Sequence, residues 1–137
     1  MINLTIKTDG GRKLSARGKQ TKDCTVRTMA KAFRMMYDEA YDLLKKHGRE
    51  PNKGFRYDKV FRAGESINGY IPAVKREYQN RGVNQVLACM GKGTFIVEIH
   101  KHVFCVIDGV VYDDHHDYIE KNTTVMKVYK IKHIWED

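Results

Sequence analysis

Cysteine, proline and tryptophan are scarce in this chain, with three, two and one among 137 residues. Three cysteines, an odd count with no framework spacing, argue against a disulfide-stapled secreted domain and suit a reducing compartment, where a free thiol persists. No stretch approaches the roughly 18 consecutive apolar residues that a membrane helix requires. Met1–Lys7 lacks an apolar core of secretory length, so no signal peptide is read there. The expectation is a cytoplasmic protein without a membrane partner. There is also no internal repeat, low-complexity tract or linker. With 42% hydrophobic residues, the chain is long enough for one domain with a real core and short for two.

Charge is plentiful, and it is placed unevenly. The formal net charge is +8, and all of that excess falls in residues 1–60, while residues 61–137 balance to zero. The basic excess lies mainly in Lys7, Arg12, Lys13, Arg17, Lys19, Lys22, Arg27, Lys31 and Arg34. Such an end can meet a phosphate backbone or an acidic protein surface, which makes nucleic acid a candidate partner. No aromatic residue is interleaved with these charges, and a solvated basic arm explains them equally well.

The hydrophobic period changes along the chain. Ile2, Leu4 and Ile6 alternate with polar residues, which predicts a strand over Met1–Lys7, and Thr8–Lys22 reads as an exposed, mobile loop. Val26, Met29, Ala30 and Phe33 fall at the spacing of one buried helical face, with Asp23 suited to the N-cap. Met36–His47 reads as a second helix ended by Gly48, Asp58–Ala63 as one helical turn, and Pro72–Arg81 as a third helix with proline at its first position. Val83–Ala88 then reads as a weak strand. Thr94–Ile99, His102–Ile107, Val110–Asp113 and Thr124–Ile131 read as stronger ones. The reading is a single α+β domain: residues 1–22 a short strand and basic loop, 23–82 mainly helical, and 83–137 mainly an antiparallel sheet on which the helices pack.

Within that frame Cys24 differs from Cys89 and Cys105. It stands between a polar loop and a helix start, where unpaired N–H groups and the helix dipole favour an anionic sulfur, flanked by Lys22 and Arg27. Cys89 and Cys105 read as small buried apolar residues, Cys105 lying inside an apolar strand. If Asp108-Gly109 is a two-residue hairpin turn, Ile107 faces Val110, Val106 faces Val111 and Phe104 faces Asp113. His102 then shares a face with Asp113, its diagonal neighbour, whereas Asp114 points to the other face. His102, at the head of the apolar strand with a paired acid, is preferred over His100. A thiol, an imidazole and an acid so placed are the parts of a cysteine nucleophile system.

The order of these residues resembles the papain-like cysteine peptidases, and more closely the bacteriocin-leader (double-glycine) peptidases and small phage-encoded proteins of that fold. Asp23-Cys24-Thr25-Val26-Arg27 is similar to their Asp-Cys-x-x-Arg helix start. Gly93-Thr94-Phe95-Ile96-Val97 and His102 to Asp113 look like their glycine-led, histidine and acid strands. The resemblance implies a phage-encoded thiol protease acting on a peptide, isopeptide or related acyl bond. Cys24 would be the nucleophile, His102 the general base and acid, and Asp113 the group orienting the imidazole. The family usually adds an oxyanion glutamine some six residues before the cysteine; Gly18 holds that place here, and Gln20, four residues before Cys24, is the oxyanion candidate.

Other constellations are weaker. His100, His102, Cys105, Asp113, Asp114, His115 and His116 offer zinc-ligand chemistry, yet there is no Cys-x-x-Cys or His-Glu-x-x-His, so no metal and no cofactor is expected. Gly10-Gly11 and Gly91-Lys92-Gly93 lack the phosphate-loop ending and read as turns. The expected partner is a protein or peptide substrate. The alternative is a catalytically inactive protein of the same fold that engages nucleic acid or a host protein through its basic half.

Overall fold

The structure is a computed structural model that describes residues 5–62 and 65–135. Its sheet is six-stranded, with spatial order β1-β5-β4-β3-β6-β2. In chain order the elements are β1 (Thr5–Lys7), α1 (Cys24–Ala32), α2 (Tyr37–Lys46), β2 (Tyr70–Val74), α3 (Val83–Cys89), β3 (Thr94–Ile99), β4 (His102–Ile107), β5 (Val110–Asp113), α4 (Asp117–Glu120) and β6 (Lys127–His133). The class is α+β, as its sequence pattern implies. The sheet is mixed rather than antiparallel, because β1 runs parallel to β5. A strand returning from the far end of the chain has no hairpin to set its direction. The start of the expected first strand, Met1–Leu4, lies outside the described residues.

The centre of the sheet is an antiparallel meander. Asp108 and Gly109 take φ of 50° and 81°, as a two-residue type I′ turn requires. The β4–β5 register follows, with Ile107 opposite Val110 and Val106 opposite Val111. A second tight turn, His100-Lys101, joins β3 to β4 and pairs Ile99 with His102. Both faces of these strands are covered. Ile96, Val103, Cys105 and Tyr129 pack with α1 and α2, while Phe95, Val97, Phe104, Val106 and Val111 pack with α3 and α4. Burial on two faces explains the continuous apolar runs of β3 and β4.

Two elements differ from their sequence reading. Pro72–Arg81 is not a helix: Tyr70–Val74 is β2, followed by a 3-10 turn at Arg76–Tyr78. Pro72 pairs with Ile131 on the outermost strand of the sheet, a position where a missing N–H is tolerated. Val83–Ala88 is not a strand but the helix α3. Val83, Val86, Leu87 and Met90 are all buried, a helical spacing that a short apolar run conceals. The 23–82 segment therefore contributes a strand, and 83–137 contributes two helices. The last strand begins at Lys127 rather than Thr124. The turn expected at Asp58–Ala63 is a 3-10 turn at Tyr57–Lys59, and Ala63 is outside the described residues.

The basic segment 8–22 is tied down rather than free. Arg17 bonds Asp38 at 2.6 Å and Asp42 at 2.8 Å, and its guanidinium lies 4.0 Å from the centre of the Tyr41 ring. Part of the charge that looked like a solvated arm is spent on docking this segment to α2.

Candidate active site

Packing of α1 on β4 brings the two chemistry-bearing ends together. The apolar face of α1 (Val26, Met29, Ala30, Phe33) is buried, and Thr28 Oγ1 donates to the Val103 carbonyl at 3.2 Å. That fixes the helix along the strand with its N-terminus beside His102. Cys24 is the first residue of α1 and is half-buried.

Asp23 occupies the N-cap position, yet its side chain makes no capping bond. It is turned inward, where Arg12 NH1 and Arg27 Nε each donate to Oδ1 at 3.0 Å and the Tyr37 hydroxyl donates to Oδ2 at 2.7 Å. Two guanidinium donors and a phenol outcompete the helix amides for this carboxylate, which corrects the expectation of a capping aspartate. The consequence is electrostatic. Among the described residues no acidic side chain lies in the first turn of α1 and none caps it, so its positive end is left to act on the Cys24 sulfur.

His102 is coupled to both Cys24 and Asp113. Its Nε2 is 2.5 Å from Asp113 Oδ2, and the ring lines one cavity with Cys24, where thiolate and imidazolium favour each other's charge. With Nε2 directed at the carboxylate, Nδ1 is the nitrogen left for sulfur. Asp113 itself accepts three further bonds: from Tyr118 at 2.7 Å, from Arg27 NH1 at 3.1 Å, and from the Asp114 amide at 2.8 Å. Asp114, the alternative acid, sits beside Arg27 at 3.3 Å and His115 at 2.6 Å, away from the His102 nitrogen.

The titration behaviour follows from this bonding. Burial alone would raise the Asp113 carboxyl, but the bond and charge of His102, then the Tyr118 hydroxyl, outweigh it and hold it at about 2. Burial would likewise lower His102, but Asp113 and Cys24 lift it to about 9. Cys24 is drawn below its ordinary value: burial opposes the thiolate, and His102, the Val103 amide and Arg27 more than compensate. A thiolate–imidazolium pair is thereby favoured. Cys105, buried in β4, is pushed the opposite way, to about 12, by burial, whereas Cys89, read from the sequence as buried, is exposed at the end of α3.

A cavity of about 680 Å³ opens onto this group. Phe55, Tyr57, Ile99, Val103 and Met126 supply apolar walls, Glu98 a carboxylate, and Lys22, Arg56 and Lys101 cationic side chains. His100 lines it from the exposed turn, and His115 from the side of Asp113. Gln20 is not among the lining residues. Its amide oxygen accepts from the Asn52 backbone N–H at 3.0 Å, which anchors the basic loop instead of facing the thiol.

Tyr118 and the bridging role of Arg27 escape a reading of the sequence. Arg27 carries two carboxylates from distant parts of the chain, Asp23 and Asp113. Tyr118 reaches Asp113 from α4 while stacking on Phe104 at 4.4 Å. The Asp-Cys-x-x-Arg spacing hints at the first; no local pattern marks the second. No family model, curated protein or solved structure matches the chain. Among the described residues no helix is long and apolar enough to cross a membrane.

Proposed function

We propose that the protein is a papain-like cysteine hydrolase acting on a peptide, isopeptide or related acyl bond. The observation that carries this reading is the His102 ring, bonded to Asp113 and lining one cavity with Cys24, a thiol at a helix start. Asp113 holds the Nε2–H tautomer, so Nδ1 takes the Cys24 proton. The thiolate attacks the carbonyl carbon, and the oxyanion sits against the Cys24 amide at the head of α1. His102 then gives its proton to the leaving group and later takes one from the water that releases the acyl group. The order of helix cysteine, strand histidine and next-strand acid supports the papain-like assignment, and the same likeness argues for a phage source.

Limiting iodoacetamide with intact-mass readout tests the assignment. Cys89 is exposed and Cys24 only half-buried, so accessibility alone favours Cys89. Faster labelling of Cys24 near pH ~7, well below the ordinary thiol pKa of about 8.5, marks an activated thiolate. If Cys24 labels last, or with an ordinary thiol profile, the hydrolase reading is wrong.

A second reading, a catalytically inactive binding protein, rests on Gln20. With that side chain bonded to Asn52 outside the cavity, the family's second oxyanion donor has no counterpart at this residue, and one such donor is typically worth ~10²–10³ in rate. Exposed Lys13, Lys19 and Lys22 would then be the contact surface for nucleic acid or a host protein. A steep loss of nucleic-acid affinity with salt, unchanged by Cys24→Ala, supports this reading over the first.

A further inference from the structure

Around Asp113 and Asp114, the charge of the molecule inverts. A concavity of about 400 Å³ is lined by Asp113, Asp114, Asp117 and Glu120, by His115 and His116, and, among the described residues, by a single lysine, Lys7. In a chain of net charge +8 this is a local concentration of carboxylates open to solvent. Asp113 and His115 of this lining, with His102 from the neighbouring Cys24 cavity, each bring one ligand atom within 4.8 Å of one another. Two metal–ligand bonds of about 2.0–2.2 Å reach across at most about 4.4 Å, so a small inward turn of a side chain such as the exposed His115 closes the group on one ion.

We propose that His102, Asp113 and His115 form a site for a borderline divalent cation of the zinc type, and that its occupation switches the thiol centre off. Two imidazoles and a carboxylate are the donor set such ions prefer, with a fourth position left for water. His115 is already oriented for the role. Its Nδ1 is 2.6 Å from Asp114 and its Nε2 is 3.4 Å from Asp117, so whichever nitrogen binds metal, the other keeps a carboxylate partner. The His102 and His115 ring centres are 4.6 Å apart. Arg27 opposes a cation here, but it holds Oδ1 of Asp113, while the oxygen facing His102 is Oδ2.

The inhibitory step is a matter of proton placement and rests on the hydrolase reading; the metal site does not. A metal on Nε2 uses that lone pair, so the single ring proton must sit on Nδ1. Nδ1 can then donate to the Cys24 thiolate but cannot accept its proton. Giving that proton to a leaving group would leave an imidazolate. Turnover stops while the thiolate itself is preserved. This separates the site from a metal bound directly to sulfur, which would shield the thiol.

Titration of zinc chloride into the full chain by calorimetry, with iodoacetamide labelling in parallel, tests the proposal. Wild type and Cys24→Ala are expected to bind one zinc alike, and His115→Ala, a change at an exposed side chain, to bind roughly 10-fold or more weakly. Zinc-loaded wild type is expected to keep labelling at Cys24. Absence of binding, equal binding by His115→Ala, loss of binding in Cys24→Ala, or protection of Cys24 by zinc would each overturn it. A Cys24 that is unreactive without zinc sinks the hydrolase reading instead and leaves the calorimetric result standing.

Discussion

Tyr118 and His102 share one oxygen of Asp113: the Tyr118 hydroxyl donates to Oδ2 at 2.7 Å and His102 Nε2 meets it at 2.5 Å. The tyrosine ring also lies 5.4 Å from the imidazole centre and is stacked on Phe104. One side chain from α4 therefore fixes the acid by hydrogen bonding and the base by contact.

Tyr118→Phe keeps the ring and removes the hydroxyl. Asp113, now at about 2, loses one of its donors, becomes more basic and bonds the imidazolium more strongly, so His102 is held above its wild-type value of about 9. In the proposed hydrolysis the alkaline limb, where the leaving group no longer finds a proton donor, is then expected to move to higher pH. A pH profile of kcat/KM reads this directly. A merely structural tyrosine would lower stability and leave the limb where it is.

Arg27 is expected to be the most costly single change near the site. It is buried between Asp23, also buried, and Asp113. Arg27→Met leaves Asp113 without its guanidinium and Asp23 with that of Arg12 alone, a loss on the order of 3–5 kcal/mol. Arg27→Lys restores one charge but not the fork that spans two acids, and should recover only part of that loss. Urea unfolding at neutral pH measures both; equal stability of wild type and Arg27→Met would remove the network from the account.

Gly10 tests how closely the basic segment is docked. Its φ is +65°, and a Cβ there would lie 2.8 Å from Arg27 Cα and 2.9 Å from the Arg27 carbonyl oxygen. Both are backbone atoms of α1, which cannot turn aside as a side-chain tip can. Gly10→Ala is therefore expected to cost more than about 1 kcal/mol and to slow labelling of Cys24 by displacing α1. Gly54→Ala, with no atom within 4 Å of the added carbon, should stay within about 0.5 kcal/mol.

What the sequence makes legible here is what is local. The α1 face, the Asp108-Gly109 turn and the β4–β5 register are each written in a dozen residues, and together they bring His102 and Asp113 to one side of the hairpin. What it hides is set by contacts across the chain. Pro72 reads as a helix start until Ile131 is known to pair with it at a sheet edge. Asp23 reads as a cap until Arg12, Arg27 and Tyr37 are found around it. The parallel pairing of β1 with β5 and the reach of Tyr118 to Asp113 have no local period at all.

The His102–Asp113 pair also sets a pH dependence of stability. In a Cys24→Ala background the coupled thiol is gone, and Asp113 remains the partner that raises His102. The folded value of about 9 in the wild type lies above the ordinary 6.5. The stabilisation from imidazolium is thus complete below the ordinary value and is lost as pH climbs through the folded one. Asp113 has the opposite sign. Its folded value of about 2 lies below 3.8, so its contribution is present above the ordinary carboxylate range and lost as pH falls through about 2. Unfolding free energy in this background is expected to be highest between these limits and to fall by on the order of 1–2 kcal/mol on the alkaline side. His102→Gln in the same background removes the titrating ring, and the alkaline fall should flatten with it. Urea midpoints across the pH range decide the matter: an equal fall in both variants would mean that some other group is responsible.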